Sequence, residues 1–221
     1  MARAKTIVFL CVAGLIFLTA YVQAEEEVAG CGSLENAYGP YDYTNPDDFA
    51  KKLPIVEHAH FTSSVENLIR GHKGTIESDL DYTLRAFPNH HRALYAMALF
   101  QLRTPYNPRS GYYSIECYFQ RATQFKPGDG TVRMLNGIYL HKKGAKKEAL
   151  AKYQEALKIM PDSPDLNYNF GLLYFDEKNY DLAAAYAKKA YARGYPLPGL
   201  KNNLGRIGLW QEASDAGKPT P

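Results

Sequence analysis

Apolar and small residues recur at helical spacing in the second half of this chain. Leu135, Ile138 and Tyr139 share one side of the stretch 132–142, and a second apolar stripe follows in the stretch 147–160. The members of that second stripe are Ala149, Leu150, Tyr153, Ala156 and Leu157. A glycine separates the two stretches and a proline follows the second, so the pattern predicts a pair of helices.

The pattern returns every 34 residues. Gly137, Gly171 and Gly205 are spaced at that interval, and five further pairs of similar residues are spaced likewise. Those pairs are Ala149 with Ala183, Ala156 with Ala190, Ala122 with Ala156, Phe119 with Tyr153, and Pro127 with Pro161. Small residues allow two helices to approach closely, so a bulky side chain at Gly137 or Ala149 would push the pair apart.

The unit resembles the tetratricopeptide repeat (TPR). Its characteristic glycine, alanine, aromatic, alanine and proline positions are Gly137, Ala149, Tyr153, Ala156 and Pro161. The next unit, 164–197, departs from the family at Ala187, where an aromatic is usual, and at Tyr195, where proline is usual. The resemblance implies an all-α fold, a right-handed helix-hairpin solenoid of about three units, with a capping helix over 200–210.

The upstream part of the chain repeats less regularly. We predict four more helices there, over 64–69, 75–87, 92–103 and 112–125. Residues 104–111, which contain Pro, Asn and Gly, read as a loop inserted between the last two. Tyrosines, glycine and prolines over 31–48 predict an irregular arm, and 53–61 is expected to be a short strand. The predicted organisation is a signal peptide at 1–24, an N-terminal arm at 25–61, the repeat domain at 62–212 and a flexible tail at 213–221.

The first residues have the pattern of a secretory signal peptide. Arg3 and Lys5 precede an apolar run over 7–22, and Ala24 supplies the small residue of a cleavage site. The run is short for a bilayer-spanning helix, which needs about 20 residues. Cleavage after Ala24 would leave a periplasmic or secreted protein with no membrane span.

Cys31 has two alternative roles. The sequence VAGC at 28–31 resembles a lipobox, in which Cys31 would be lipidated, but three glutamates separate it from the apolar run. Signal cleavage would remove Cys11 and leave Cys31 and Cys117, and two cysteines in an exported chain are usually paired. We favour that disulfide, which would tie the arm to the helix at 112–125.

Charge and motifs argue against nucleic-acid binding and catalysis. The chain has 26 basic and 23 acidic residues, whereas nucleic-acid binding normally calls for a strong basic excess. It has no Gly-x-Ser-x-Gly turn, phosphate loop or dinucleotide fingerprint. Asp79 and Asp81 are two apart on a predicted helix and would point in different directions. We therefore expect a non-enzymatic protein without a cofactor.

Histidines supply an alternative function. Five of the six fall between residues 58 and 91, and His58 and His60 would share one face of a strand. With His90 or His91 brought close by folding, they could hold Zn²⁺ or Cu²⁺. The alternative is thus a periplasmic metal-binding protein. We favour a protein-binding scaffold over a metal-binding protein, because no metal-binding spacing motif accompanies these histidines.

The resemblance also implies a partner-binding groove, lined by the first helix of each repeat. The groove residues that it assigns are Arg92, Tyr95, Leu99, Met134, Ile138, His141, Lys142, Tyr168, Leu172 and Phe175. Several of these are too apolar for a bare solvated face. Either a protein partner covers them, or the N-terminal arm folds into the groove. We predict a scaffold or adaptor that binds another protein or a peptide segment.

Overall fold

The protein is described by a computed structural model that covers residues 31–107 and 109–210. Across these residues the structure has eleven helices and no strand. The helices are α1 (Pro46–Lys51), α2 (Leu53–His60), α3 (Ser63–Glu66), α4 (Ile76–Ala86), α5 (His91–Arg103), α6 (Ile115–Phe125), α7 (Gly130–Lys143), α8 (Lys146–Ile159), α9 (Pro164–Asp176), α10 (Tyr180–Ala192) and α11 (Gly199–Arg206).

Consecutive helices pair and the pairs stack. The hairpins are α5 with α6, α7 with α8, and α9 with α10, and α11 packs against both α9 and α10. Between neighbouring pairs, α7 contacts α5 on one side and α9 on the other. This is the helix-hairpin solenoid of about three units with a capping helix that the resemblance to the TPR family implied.

Small residues bring the helices of a pair close together, as the sequence predicted. A Cβ atom built on Gly137 would lie 2.6 Å from two carbon atoms of the Tyr153 ring. Ala149 and Ala156 are fully buried beside that ring. The hairpin turns at Gly144, whose φ of 87° closes α7 in a left-handed conformation that suits glycine. The sequence of this unit therefore specifies both the packing and the turn.

The segment 53–61 was expected to be a strand, and that prediction is wrong. The chain forms helix α2 there, with Pro54 in its first turn, and Leu53 and Val56 are buried on the same side. Both side chains pack with Phe87, which follows α4. Helix α6 also begins later than predicted, at Ile115, because the Ser114 hydroxyl accepts a hydrogen bond from the Cys117 N–H and caps the helix there.

The N-terminal arm lies against the second helices α4 and α6. A disulfide joins Cys31 to Cys117, 86 residues apart, as predicted. Arg121 of α6 is only 2% exposed, and its guanidinium donates to the backbone carbonyls of Cys31 and Ser33 at 3.0 and 2.6 Å. Farther along, the N–H of Tyr41 donates to the Ala86 carbonyl at 2.8 Å. Covalent and hydrogen bonds thus attach the arm to α4 and α6 between Cys31 and Tyr41.

Several sequence predictions concern other parts of the chain. The signal peptide (1–24), its cleavage site and the tail (213–221) lie outside the described residues, and the domain boundaries stay predictions. No helix in the described ranges has both the length and the apolarity needed to cross a bilayer.

Candidate functional site

A cleft of about 420 Å³ opens beside the first helices of the stack. It lies between α5 and the turn after α3, with α7 contributing to one side. None of its lining residues belongs to α4, or to α6, α8 or α10, which are the second helices of the three hairpins. The lining residues are Glu66, Asn67, Leu68, His91, Arg92, Tyr95, Ala96, Leu99, Arg103, Thr131 and Leu135.

Arg92, at the α3 end of the cleft, is held by two glutamates. Its Nε donates to Glu66 Oε1 at 2.7 Å and a second nitrogen bonds Glu66 Oε2, while Nη1 donates to Glu57 at 3.2 Å. The guanidinium also lies over the Phe61 ring, 5.2 Å from its centroid. The hydrogen bonds with Glu66 raise the pKa of Arg92 and lower that of the Glu66 carboxyl. Arg92 therefore joins α5 to α2 and α3 before any partner arrives.

The imidazole of His91 is also bonded to a residue within the protein. Its Nε2 lies 2.8 Å from Oδ2 of Asp129, the residue that caps α7 by accepting from two backbone N–H groups. Asn89 donates to the same carboxylate at 3.1 Å. Burial tends to raise the pKa of Asp129, but the hydrogen bonds from His91, Asn89 and Val132 outweigh it and lower that pKa. This carboxylate organises the junction between the repeats.

Arg103 differs from these groups. It is the last residue of α5, its side chain is exposed at the rim of the cleft, and it makes no hydrogen bond or ion pair with any described residue. Lys142, in the last turn of α7, is also exposed and unpaired within the described part of the chain. Helices α5 and α7 run in the same direction because α6 returns the chain between them. Both cations therefore lie toward the same end of the first helices.

The C-terminal half of the predicted groove is already filled. Met134 and Tyr168 are each 8% exposed, so they offer little surface to a partner. The Tyr195 ring stacks on Tyr168 with centroids 4.1 Å apart, and burial raises the pKa of Tyr195 to about 12. Leu172 and Phe175 pack against the same cluster, which α10 and α11 complete. Met134 and Tyr168 therefore belong to the core between helices, whereas Leu172 and Phe175 remain partly exposed at its edge.

Two other predicted groove residues lie between these regions. Ile138 is half-buried and packs against the hydrophobic clusters on both sides of it. Nε2 of His141 lies 2.9 Å from a carboxylate oxygen of Asp176 in α9, the first helix of the next hairpin. Of the ten predicted residues, the structure thus brings three together in the open cleft, namely Arg92, Tyr95 and Leu99.

The described arm residues do not occupy the cleft. Tyr38, Tyr41 and Tyr43 pack instead with a separate cluster that includes Val56 and Phe87. All of the cleft-lining residues come from positions 66–135. The sequence left open whether the arm fills the groove. In the part of the arm that the structure describes, from Cys31 onward, it lies on another face.

The repeat architecture has a direct counterpart among protein families. Residues 139–178, from the middle of α7 to the turn after α9, match the family model of the TPR repeat. This chain carries a TPR repeat. TPR repeats are typical of protein–protein interaction scaffolds and are generally non-catalytic. No curated protein matches the chain.

The histidines of this chain serve mostly as internal hydrogen-bonding groups. His58 is exposed, and His60 bonds Asp79 through Nδ1 at 2.9 Å. His90 is buried, with Nδ1 accepting from the Ala93 N–H and Nε2 lying 3.1 Å from Glu57. Within residues 31–107 and 109–210, no three His, Cys, Asp or Glu side chains form a group that could hold a metal ion.

Sequence reasoning missed part of the cleft. Glu66 is the last residue of α3, and Asn67 and Leu68 follow it in the turn. Helix α3 is too short to show a clear repeat pattern. Leu135 was assigned only to packing between helices, although it also reaches the cleft. The one available signal was charge: Glu66 is an acid placed to neutralise Arg92, but 26 residues separate the two in sequence.

Proposed function

We propose that this chain is an exported, non-enzymatic scaffold that binds a segment of another protein in the cleft beside α5. The observation that carries the proposal is the position of the cleft. It lies on the first helices of the helix-hairpin stack, the position at which TPR proteins form their groove, and Tyr95 remains 38% exposed there. An amphipathic ring that can cover apolar surface and still donate a hydrogen bond is common at binding interfaces.

The proposed groove is shorter than the ten residues that the sequence suggested. Arg92, Tyr95 and Leu99 are its core, with Leu68 and Leu135 completing the apolar surface. Farther along the stack, Met134 and Tyr168 are buried, and we assign them to packing between helices rather than to contact with a partner. His141 and Lys142 are its proposed outer limit toward the C-terminus.

Export is proposed on the signal-like first 24 residues and is supported by the cysteine pairing. Disulfides persist mainly in oxidising compartments such as the periplasm or the extracellular space. The Sγ atom of Cys31 is bonded to Cys117, so it cannot also carry a thioether-linked lipid. The disulfide therefore favours cleavage after Ala24 over processing at the lipobox-like sequence. N-terminal sequencing of the mature protein should read Glu25, whereas a lipid-modified Cys31 at the N-terminus would contradict this part of the proposal.

Site-specific photocrosslinking tests the binding site. A photoreactive phenylalanine analogue introduced at Tyr95 should give a discrete protein adduct in the cells that make the protein. The matched control is the same analogue at Gln154, an exposed residue on the second helix α8. The Tyr95 adduct should also decrease when Leu99 is changed to Glu.

The same experiment can contradict the proposal. Equal adducts from the two positions would indicate contact without specificity. An adduct at Tyr95 that Leu99→Glu leaves unchanged would place the partner outside the cleft. Thermal unfolding followed by circular dichroism distinguishes a lost partner from an unfolded variant.

A further inference from the structure

The charged groups of the cleft are unequally satisfied. Four lining side chains can carry charge, and three of them, Glu66, His91 and Arg92, are bonded to partners within the protein. The fourth, Arg103, has no partner among the described residues. The cleft therefore has a neutralised inner end and one unpaired cation at its rim.

The rest of the cleft surface is mainly apolar. Leu68, Tyr95 and Leu99 are its more exposed apolar residues, and the buried residues Ala96 and Leu135 lie beneath them. A volume of about 420 Å³ lies within the usual range of ligand pockets, about 300–1,000 Å³, so the cleft can accept a large apolar side chain. Such a side chain would remove the exposed part of the Tyr95 ring from water.

A partner that covers this surface would also remove water from around Arg103. Leaving a charge poorly hydrated without a partner is unfavourable, whereas a carboxylate can form two parallel hydrogen bonds with one guanidinium. Lys142, toward the same end of the first helices, adds to the positive potential there. Among the described residues that line the cleft, the one carboxylate is that of Glu66, and it is bound to Arg92, so nothing there favours a basic partner.

We infer that the occupant of the cleft is a protein segment in which a large apolar residue is followed or preceded closely by Asp or Glu. The apolar side chain enters between α3 and α5, and the carboxylate pairs with Arg103. This inference rests on the proposed function, since it names the chemistry of the partner for the same cleft.

A charge-reversal selection tests the inference. A displayed library of random dodecapeptides is selected on the full mature protein, and separately on Arg103→Glu and Lys188→Glu variants. Lys188 is an exposed cation on the second helix α10 without a bonding partner in the described part of the chain, so its reversal makes the same change in net charge away from the cleft. Binding of individual peptides is then measured against Tyr95→Ala and Leu99→Glu.

The wild type and Lys188→Glu should enrich peptides with an apolar residue and an acid close to it. Arg103→Glu should enrich basic residues in place of the acid, and should bind the acidic peptides about tenfold more weakly. All of these peptides should lose binding in Tyr95→Ala or Leu99→Glu, with folding of each variant checked by circular dichroism.

Other outcomes would overturn the inference in separable ways. Peptides that need Tyr95 and Leu99 but show no acidic preference, or no change with Arg103→Glu, would refute the acidic partner and leave the binding site intact. Failure to select any peptide that depends on the cleft would refute the proposed function as well. Self-association of the wild type that Leu99→Glu abolishes would assign the cleft to a second copy of the chain.

Discussion

Replacing Gly137 by alanine tests the packing argument for the repeat. Inside a helix, glycine to alanine usually stabilises by up to about 1 kcal/mol. At Gly137 the added methyl would lie 2.6 Å from the Tyr153 ring, closer than carbon atoms approach each other. Tyr153 is fully buried, so its ring cannot move aside without disturbing the core, and such overpacking costs about 1–3 kcal/mol. We expect Gly137→Ala to be neutral or destabilising by up to about 2 kcal/mol.

Gly205 provides the matched control, because it occupies the equivalent position in α11. A Cβ atom there would meet only the Trp210 carbonyl oxygen, at 4.0 Å. Gly205→Ala should therefore be neutral or stabilising by up to about 1 kcal/mol. The difference between the two variants removes most of the helix-propensity contribution, and should equal the overpacking cost of about 1–3 kcal/mol.

Urea unfolding followed by circular dichroism and by tyrosine fluorescence measures both variants. Coincident transitions are needed, because stacked repeats can unfold in parts. A Tyr153→Leu background should reduce the difference, since the smaller side chain leaves space for the methyl. Equal stability of Gly137→Ala and Gly205→Ala would refute the close-approach argument for this hairpin.

Three further predictions concern other parts of the structure. Changing Cys31 and Cys117 to Ser should lower the free energy of unfolding, measured in urea, by about 4–5 kcal/mol for an 86-residue loop, and a loss below about 1 kcal/mol would contradict the chain-entropy argument. Burial lowers the pKa of His90, and the neutral Nδ1 accepts from a backbone N–H, so stability that is present above about pH 6.5 should fall as the pH decreases through and below that value. His90→Asn should show a flatter stability profile between about pH 7 and pH 5, and an unchanged profile would refute the assignment. Tyr168→Ala should cost about 3–5 kcal/mol in urea unfolding because it empties a packed site, whereas Tyr95→Ala should cost less than about 1 kcal/mol, and similar losses would contradict the division between core and cleft.

The repeat units could be predicted from sequence because their packing depends on small residues at fixed intervals. Gly137, Ala149 and Ala156 contact partners within the same hairpin, so the relevant information is local and periodic. Helix α2 was missed because its apolar residues and histidines alternate over a short stretch. Pro54, a frequent residue in the first turn of a helix, was the available signal for the correct answer.

The candidate site was less predictable because its accessibility depends on contacts outside the period. Tyr168 occupies a position that faces the groove in the family, yet Tyr195 covers it. Tyr195 occupies the position where the repeat usually has proline. The residue that covers Tyr168 is therefore one that departs from the repeat pattern. The Arg92–Glu66 pair and the burial of His90 involve the non-repeating N-terminal segment, whose fold no periodicity specifies.

The position of the disulfide also affects how the chain can mature. In a protein that is exported N-terminus first and loses its leader, Cys31 reaches the oxidising compartment before most of the repeats, and its partner follows 86 residues later. With only two thiols remaining, a single intramolecular pairing is possible, so no disulfide isomerisation is required. Before Cys117 is exported, the free thiol of Cys31 could instead form a mixed disulfide with another chain. Under the proposed export, the disulfide could form only after α6 had entered the compartment, and its formation would then attach the arm to α6.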